Sequence, residues 1–384
     1  MTVKKRWYWL ILPLMLALLT LSASAEGSLF TADEQLPAEY TDFLEKFPED
    51  LRSLLPDGLL STAPAEVGAG SAELGDFSYL LKTTLTLVGL RLEPCVKILA
   101  RVIGVLLLSA IGKALQSTLR SEGLARAFSY CTSLVMLLLL LGESYHSIRT
   151  VTDYLANLQS VTSASIPLMG ALYAMGGNAS AAVASSTGLS LFLVVLENIV
   201  SKSILPFCGI CLAFSLVSSL DTSVRLRTLS DTVKRNYTTV LAFLMMLLLA
   251  MLGAQTTLGA KSDTLAMKSV KFAAGSMIPV VGGSVSELLR TVSASVGYMR
   301  GGVGICGVLL LILLLLPVLI ELWLMRLVWQ IAASVADLLG CDAEKRLLDE
   351  FTSLHGYLIA AVAICTAVPL FSFTLFLHCA SAIG

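Results

Sequence analysis

Residues 302–325 read GVGICGVLLLILLLLPVLIELWLM, a stretch in which Glu321 is the one ionisable carboxylate. About 20 consecutive apolar residues, wound as an α-helix, match the ~30 Å hydrocarbon thickness of a bilayer. Lipid also admits only elements that satisfy their own backbone donors and acceptors, so a helix is the element this stretch predicts. Working outward, similar tracts fall near 97–118, 125–145, 180–200, 203–220, 238–259 and 354–378. A weaker one, 155–175, carries Ser160, Thr162, Ser163, Ser165 and Pro167, and fits either a full crossing or a re-entrant hairpin. Across 384 residues 14% are charged and 56% hydrophobic, whereas a soluble domain carries about 25% charged residues. The expected fold class is therefore an all-α polytopic integral membrane protein, a bundle of about seven or eight transmembrane helices. A net charge of −1 excludes an electrostatic nucleic-acid binder.

The neutral total conceals a division. Residues 26–78 hold twelve acidic side chains against Lys46 and Arg52, while everything from 79 onward holds 21 Lys and Arg against 15 Asp and Glu. Ahead of the acidic stretch, Lys4, Lys5 and Arg6 precede an apolar run from Trp7 to Leu21 and then Ala23-Ser24-Ala25, the layout of a cleavable signal peptide. The organisation expected is a signal peptide over 1–25, an acidic extracytoplasmic segment over 26–78 and a multi-span transmembrane domain over 79–384. Within the acidic segment Tyr40, Phe43, Leu44, Phe47, Leu51, Leu54 and Leu55 recur at three- and four-residue intervals, which predicts short amphipathic helices, and 63–75 has the composition of a linker.

Charge then orients the spans. With residue 26 outside, the first span brings Lys113, Arg120 and Arg126 to the cytoplasm, as the positive-inside rule asks. Counting 155–175 as a crossing places the basic loop 221–237 inside as well, which gives eight spans with both termini extracytoplasmic. The region 265–300 is too polar to cross easily. Val285, Leu288, Leu289, Val292 and Val296 share one helical face there, the pattern of an in-plane amphipathic helix or of one packed on the bundle. Just upstream, Gly275, Pro279, Gly282 and Gly283 interrupt an apolar stretch, and helix breaks at membrane depth persist only beside protein or a water-filled cavity. Together with Pro167, Gly304 and Gly307 they are the candidate pathway or gating residues.

Catalytic chemistry is not written into this sequence. His146, His355 and His378 have no metal-ligand spacing, and no Gly-x-Ser-x-Gly elbow or paired intramembrane aspartates occur. GAQTTLGAKS at 253–262 resembles a phosphate loop, but five residues separate its glycines and Ala260 intervenes before Lys261. Cys208 and Cys211 lie in an apolar tract, where cysteine acts as a small hydrophobe. Neither an enzyme activity nor a cofactor or metal is expected. Ionisable groups at membrane depth are costly and so face a partner or water; Glu197 and Glu321 are the candidate intramembrane carboxylates, each also readable as a side chain paired at the interface. Small residues at Gly177, Ala181 and Ser185, and at Gly301, Gly302, Gly304 and Gly307, permit close helix approach within one chain or in a homo-oligomer.

Several of these features, in this order, resemble the stage III sporulation protein AE family of spore-forming Firmicutes. The resemblance is carried by Gly253-Ala254-Gln255, Lys268-Ser269-Val270-Lys271-Phe272, Gly275, Ile278-Pro279-Val280-Val281-Gly282, Gly304-Ile305-Cys306-Gly307, Pro317 and Leu338-Leu339-Gly340. A second block runs from Ile166-Pro167-Leu168 through Gly176-Gly177 to Ala181-Ala182; the N-terminal third matches in layout only. The resemblance implies a membrane component of the secretion-like channel complex that joins mother cell and forespore, sitting in the outer forespore membrane. It implies partners from the same complex, including an ATPase and ring-forming proteins, and a role in late forespore development. It implies no catalytic residues. A self-contained secondary transporter, which needs its own coupling-ion site, and a non-conducting scaffold are the alternatives.

Overall fold

The computed structural model describes residues 38–118, with breaks at 53–54, 62–65, 68, 71–72 and 74–75, together with 122–220, 226–277 and 282–378. The expected signal peptide and Pro279 lie outside the described residues. Two short helices, α1 (Ala38–Glu45) and α2 (Glu49–Arg52), open the described chain. Six helical columns follow. They are α3 (Phe77–Thr118), α4 (Glu122–Met175), α5 (Ala179–Val195) continued through a π-turn at Leu196–Ser201 into α6 (Lys202–Leu220), α7 (Leu226–Met277), α8 (Gly282–Leu338) and α9 (Asp342–His378). Among the described residues six helices are long and apolar enough to cross a membrane.

Six replaces the seven or eight expected because two pairs of apolar tracts fuse. The tracts at 125–145 and 155–175 are the two halves of α4, a 54-residue helix, so the weaker tract is neither a separate crossing nor a re-entrant hairpin. The tracts at 180–200 and 203–220 are joined by the π-turn, which continues the helix with one wider turn in place of a loop. The region 265–300 also differs from expectation: its first part, through Met277, continues α7, and the presumed in-plane helix is the start of α8. At 1.5 Å per residue α4 is about 81 Å long, far more than the ~30 Å apolar thickness of one bilayer.

Contacts fix the directions. Arg91 meets Glu321, Cys95 meets Met325 and Lys113 meets Gly340, so α3 and α8 run the same way. Ser133 meets Glu344, Ser147 meets His355 and Tyr154 meets Thr366, so α4 and α9 run together in the other sense. Asp263 accepts hydrogen bonds from the Ser180 and Ala181 amides while Tyr237 meets Ser203, which sets α7 antiparallel to α5 and α6. The columns therefore alternate up and down. Two of the turns use the same device. At Gly177 and Gly340 the backbone is left-handed (φ 71° and 67°), and the following amides, Asn178 and Cys341, bond back to Tyr173 and Ala336. This caps helix ends with a conformation that only glycine adopts cheaply.

One end of the bundle is covered by the acidic segment. The three- and four-residue spacing noted in the sequence becomes a buried face: Tyr40, Phe43, Leu44, Phe47, Leu51 and Leu55 all enter the main apolar core. Phe43 packs on Phe373 with ring centroids 5.9 Å apart, and the Tyr40 hydroxyl donates to the Leu59 carbonyl at 2.9 Å. Val67, in the stretch expected to be a linker, is buried in the same core. Burial raises the Tyr40 phenol well above its ordinary value, so it remains a hydrogen-bond donor. A second, smaller core lies toward the opposite end, built from α3, the first part of α4, the last part of α8 and the first part of α9. Exposed Leu, Val, Ile and Phe side chains on α3, α4, α5 and α7, such as Leu107, Leu138, Val183 and Phe243, give these columns the apolar outer faces that lipid requires.

Candidate functional site

Toward the boundary between the two cores, α3, α4, α7, α8 and α9 carry ionisable side chains that meet. Glu321 is the best enclosed of the two carboxylates singled out from the sequence. Its Oε2 lies 3.3 Å from Nη1 of Arg91 on α3, its Oε1 lies 3.4 Å from Nε2 of His146 on α4, and Thr150 donates to Oε1 at 2.9 Å. Glu321 is 6% exposed, so three helices meet at one buried acid. Pro317 sits one turn earlier on α8 and lacks the amide that would bond the Leu313 carbonyl. Beside this group, Leu87, Leu90, Arg91 and Pro317 line a cavity of about 290 Å³ on the flank of the bundle. A carboxylate held by a half-exposed guanidinium at a cavity can change partners without unfolding a core.

Further ionic contacts lie nearby. Lys234 of α7 and Glu350 of α9 form a 2.6 Å pair with the lysine wholly buried. The sequence placed Lys234 in a basic loop. The structure places it inside α7, because the helix begins at Leu226 and carries it inward to a carboxylate 116 residues away. His355 is buried on α9, its Nδ1 donating to the Phe351 carbonyl at 2.9 Å, which turns Nε2 to the Ser147 hydroxyl at 3.0 Å. The carbonyl can only accept, so the proton on Nδ1 follows from the geometry. Arg101 faces Glu143 at 3.6 Å, and a Cβ at Gly356 would rest in ordinary contact with the guanidinium of Arg326 at 3.4 Å.

The other sequence candidates separate. Glu197 lies in the π-turn, exposed, with Gln159 donating to it at 3.4 Å; it is not part of the Glu321 group. Pro167 is on the exposed side of α4 within an unbroken helix. Gly304 and Gly307 are packing positions: a Cβ at Gly304 would fall 2.5 Å from Leu377, and one at Gly307 2.2 Å from the Phe373 ring. Gly275 lies in the last turn given for α7, Gly282 and Gly283 in the first turn given for α8, and 278–281 lie outside the described residues. The buried acids Glu344 and Glu350 escaped sequence reasoning, because they sit among other charges at the start of α9 where a solvated helix end is the ordinary expectation. Among the described residues no three His, Cys, Asp or Glu side chains gather as a metal site.

These features define a polytopic α-helical membrane protein whose bundle buries ion pairs between two apolar cores. The family model described as Stage III sporulation protein AE matches residues 67–382, from Val67 in the docked segment across all six columns. The chain belongs to that family. It is 24% identical over 279 residues to the stage III sporulation protein AE of Bacillus subtilis (strain 168), covering 72% of this chain and 70% of that one. No solved structure matches.

Proposed function

We propose that the chain is the membrane-embedded component of the complex that links mother cell and forespore, and that its six columns form or gate a conduit energised by other subunits. The observation that carries this reading is the span of the family match, which covers the whole bundle from 67 to 382, so that the sporulation role belongs to the bundle. The half-exposed Arg91 at the buried Glu321, and the buried Lys234–Glu350 pair, supply polar groups within the apolar columns. Polar groups in that position are characteristic of pathways. The protein sits in the outer forespore membrane, works without catalysis of its own, and takes an ATPase and ring-forming proteins as partners. By the positive-inside rule the basic stretches of sequence that hold Lys113, Arg120, Arg126, Arg225 and Arg227 face the mother-cell cytoplasm, and the docked acidic segment faces the intermembrane side.

Gly275→Leu and Gly282→Leu, made singly in a sporulating host, test the conduit. Loss of late forespore development with the protein still at wild-type abundance is the expected result. Normal sporulation in both would remove it. Gly304→Leu is unsuitable for this purpose, since Leu377 already occupies that space. A second reading, a self-contained transporter, is favoured by the Glu321 group alone; full function in a Glu321→Gln, Glu197→Gln double variant would dismiss it.

A further inference from the structure

Glu344 lies in the first turn of α9 and is wholly buried, yet its two oxygens are treated differently. Oε1 accepts from Ser109 of α3 at 2.7 Å and from Ser133 of α4 at 3.4 Å. Among the described residues Oε2 receives no hydrogen bond; the nearest positive charge, Nζ of Lys113, stands 3.9 Å away and donates instead to the Gly340 carbonyl at 2.9 Å. Residues of α3, α4 and α9 thus bring two hydroxyls onto one oxygen of this buried carboxylate, while the lysine beside the other oxygen is shared with a carbonyl of the α8–α9 turn. A carboxylate left in this condition is expensive, and its cost falls when a cation shares the space.

We propose that this cluster is a binding site for a small monovalent cation, with sodium the best match, and that the Lys113 ammonium is its internal competitor. The chemistry of the donors selects the ligand. All are hard oxygens, which suit alkali and alkaline-earth ions more than softer metals. A single carboxylate balances one positive charge and not two. Each serine hydroxyl spends its proton on Oε1 and keeps lone pairs for a cation, and the close Ser109–Oε1 approach favours a small ion. Lys113 is about one-third exposed and flexible, so it swings outward as the ion enters and one charge replaces another. The charged group facing the cluster is Lys113 from α3, while the neighbouring Lys345 of α9 is paired with Asp337 of α8. The site lies far along α8 from Glu321 and does not depend on what the complex carries.

The full chain in lipid nanodiscs, melted in NaCl, KCl or choline chloride at equal ionic strength, provides the test. A ligand bound only by the folded state raises the midpoint in proportion to the logarithm of its concentration. The expected result is a rise of several degrees that continues with the logarithm of the NaCl concentration, is smaller with KCl and is absent with choline. Glu344→Gln abolishes the sodium response. Lys113→Met lowers the sodium concentration at which the rise sets in, on the order of tenfold if the ammonium competes for the same oxygens, which a merely structural lysine would not do. If Glu344→Gln fails to fold, Ser133→Ala and Ser109→Ala each weaken the sodium response while leaving the fold intact. Equal midpoints in all three salts overturn the proposal. So does a sodium response that survives Glu344→Gln, or a midpoint that follows pH and ignores sodium, the signature of a proton alone.

Discussion

The two ends of the bundle are held together by different physics. At the end covered by α1 and α2 the core is aromatic and aliphatic: Tyr173 meets Phe376 edge-on at 4.9 Å, Phe43 meets Phe47 and Phe373, and Gly304 and Gly307 let α8 and α9 approach. Toward the other end Lys234, Glu344 and Glu350 are buried, with Glu321 and His355 at the boundary between the cores. A close-packed apolar end resists deformation because any shift opens voids. An end built on ion pairs tolerates rearrangement only when charges exchange partners, since an abandoned charge in a low-dielectric interior is costly. The first kind of core suits a fixed lid, and the second suits moving parts.

That contrast can be broken most severely at Lys234. Lys234→Ala breaks the buried ion pair with Glu350 and is expected to cost about 3–5 kcal/mol, seen as a large fall in the melting midpoint in detergent. The double variant Lys234→Met, Glu350→Leu should recover most of the loss; equal instability of single and double variants would show that the pair is not what stabilises this end. Next comes overpacking of the apolar end. Gly307→Ala drives a methyl into the Phe373 ring at an expected ~1–3 kcal/mol, and Phe373→Leu in the same chain should return part of it.

Smaller still is Tyr40→Phe. It removes the hydrogen bond to the Leu59 carbonyl but keeps the ring, for an expected ~0.5–1.5 kcal/mol. Limited proteolysis should then cut within 38–61 faster while the columns stay intact; unchanged protection would mean that the segment is held by its apolar face alone. Smallest is Glu197→Gln. This carboxylate is exposed and its one hydrogen bond is long, so the midpoint should stay within about 0.5 kcal/mol of the parent.

Much of the fold was legible from composition and periodicity. The tract at 302–325 is the buried centre of α8, and the spacing from Tyr40 to Leu55 foretold the face that docks. The count of spans was not legible, because the polar stretch from Glu143 to Asp153 has the composition of a loop. It stays helical, and its inward side chains find partners: His146 and Thr150 at Glu321, Ser147 at His355. Those partners lie more than 170 residues away, and pairing at that distance leaves no trace in local sequence. Lys234 was misplaced for the same reason. Glu321 could be singled out because an acid in an apolar tract is conspicuous, whereas Glu344, one acid in Asp-Ala-Glu-Lys, is not. Family resemblance rested on the order of glycine and proline motifs, which mark helix ends and close approaches and so report on backbone geometry instead of side-chain chemistry.

The docking of the first helices onto the last ones has a consequence for biosynthesis. Phe43 packs on Phe373, 330 positions later in the chain (373 − 43), and at ribosomal speeds of about 5–20 residues per second the receptor surface is complete only roughly 17–66 s after the segment itself has emerged. During that interval an oily, negatively charged strand must wait without its seat. The closing of the lid therefore marks completion of the final column, and a truncated product lacking α9 would carry this strand loose, as a ready handle for quality-control proteases.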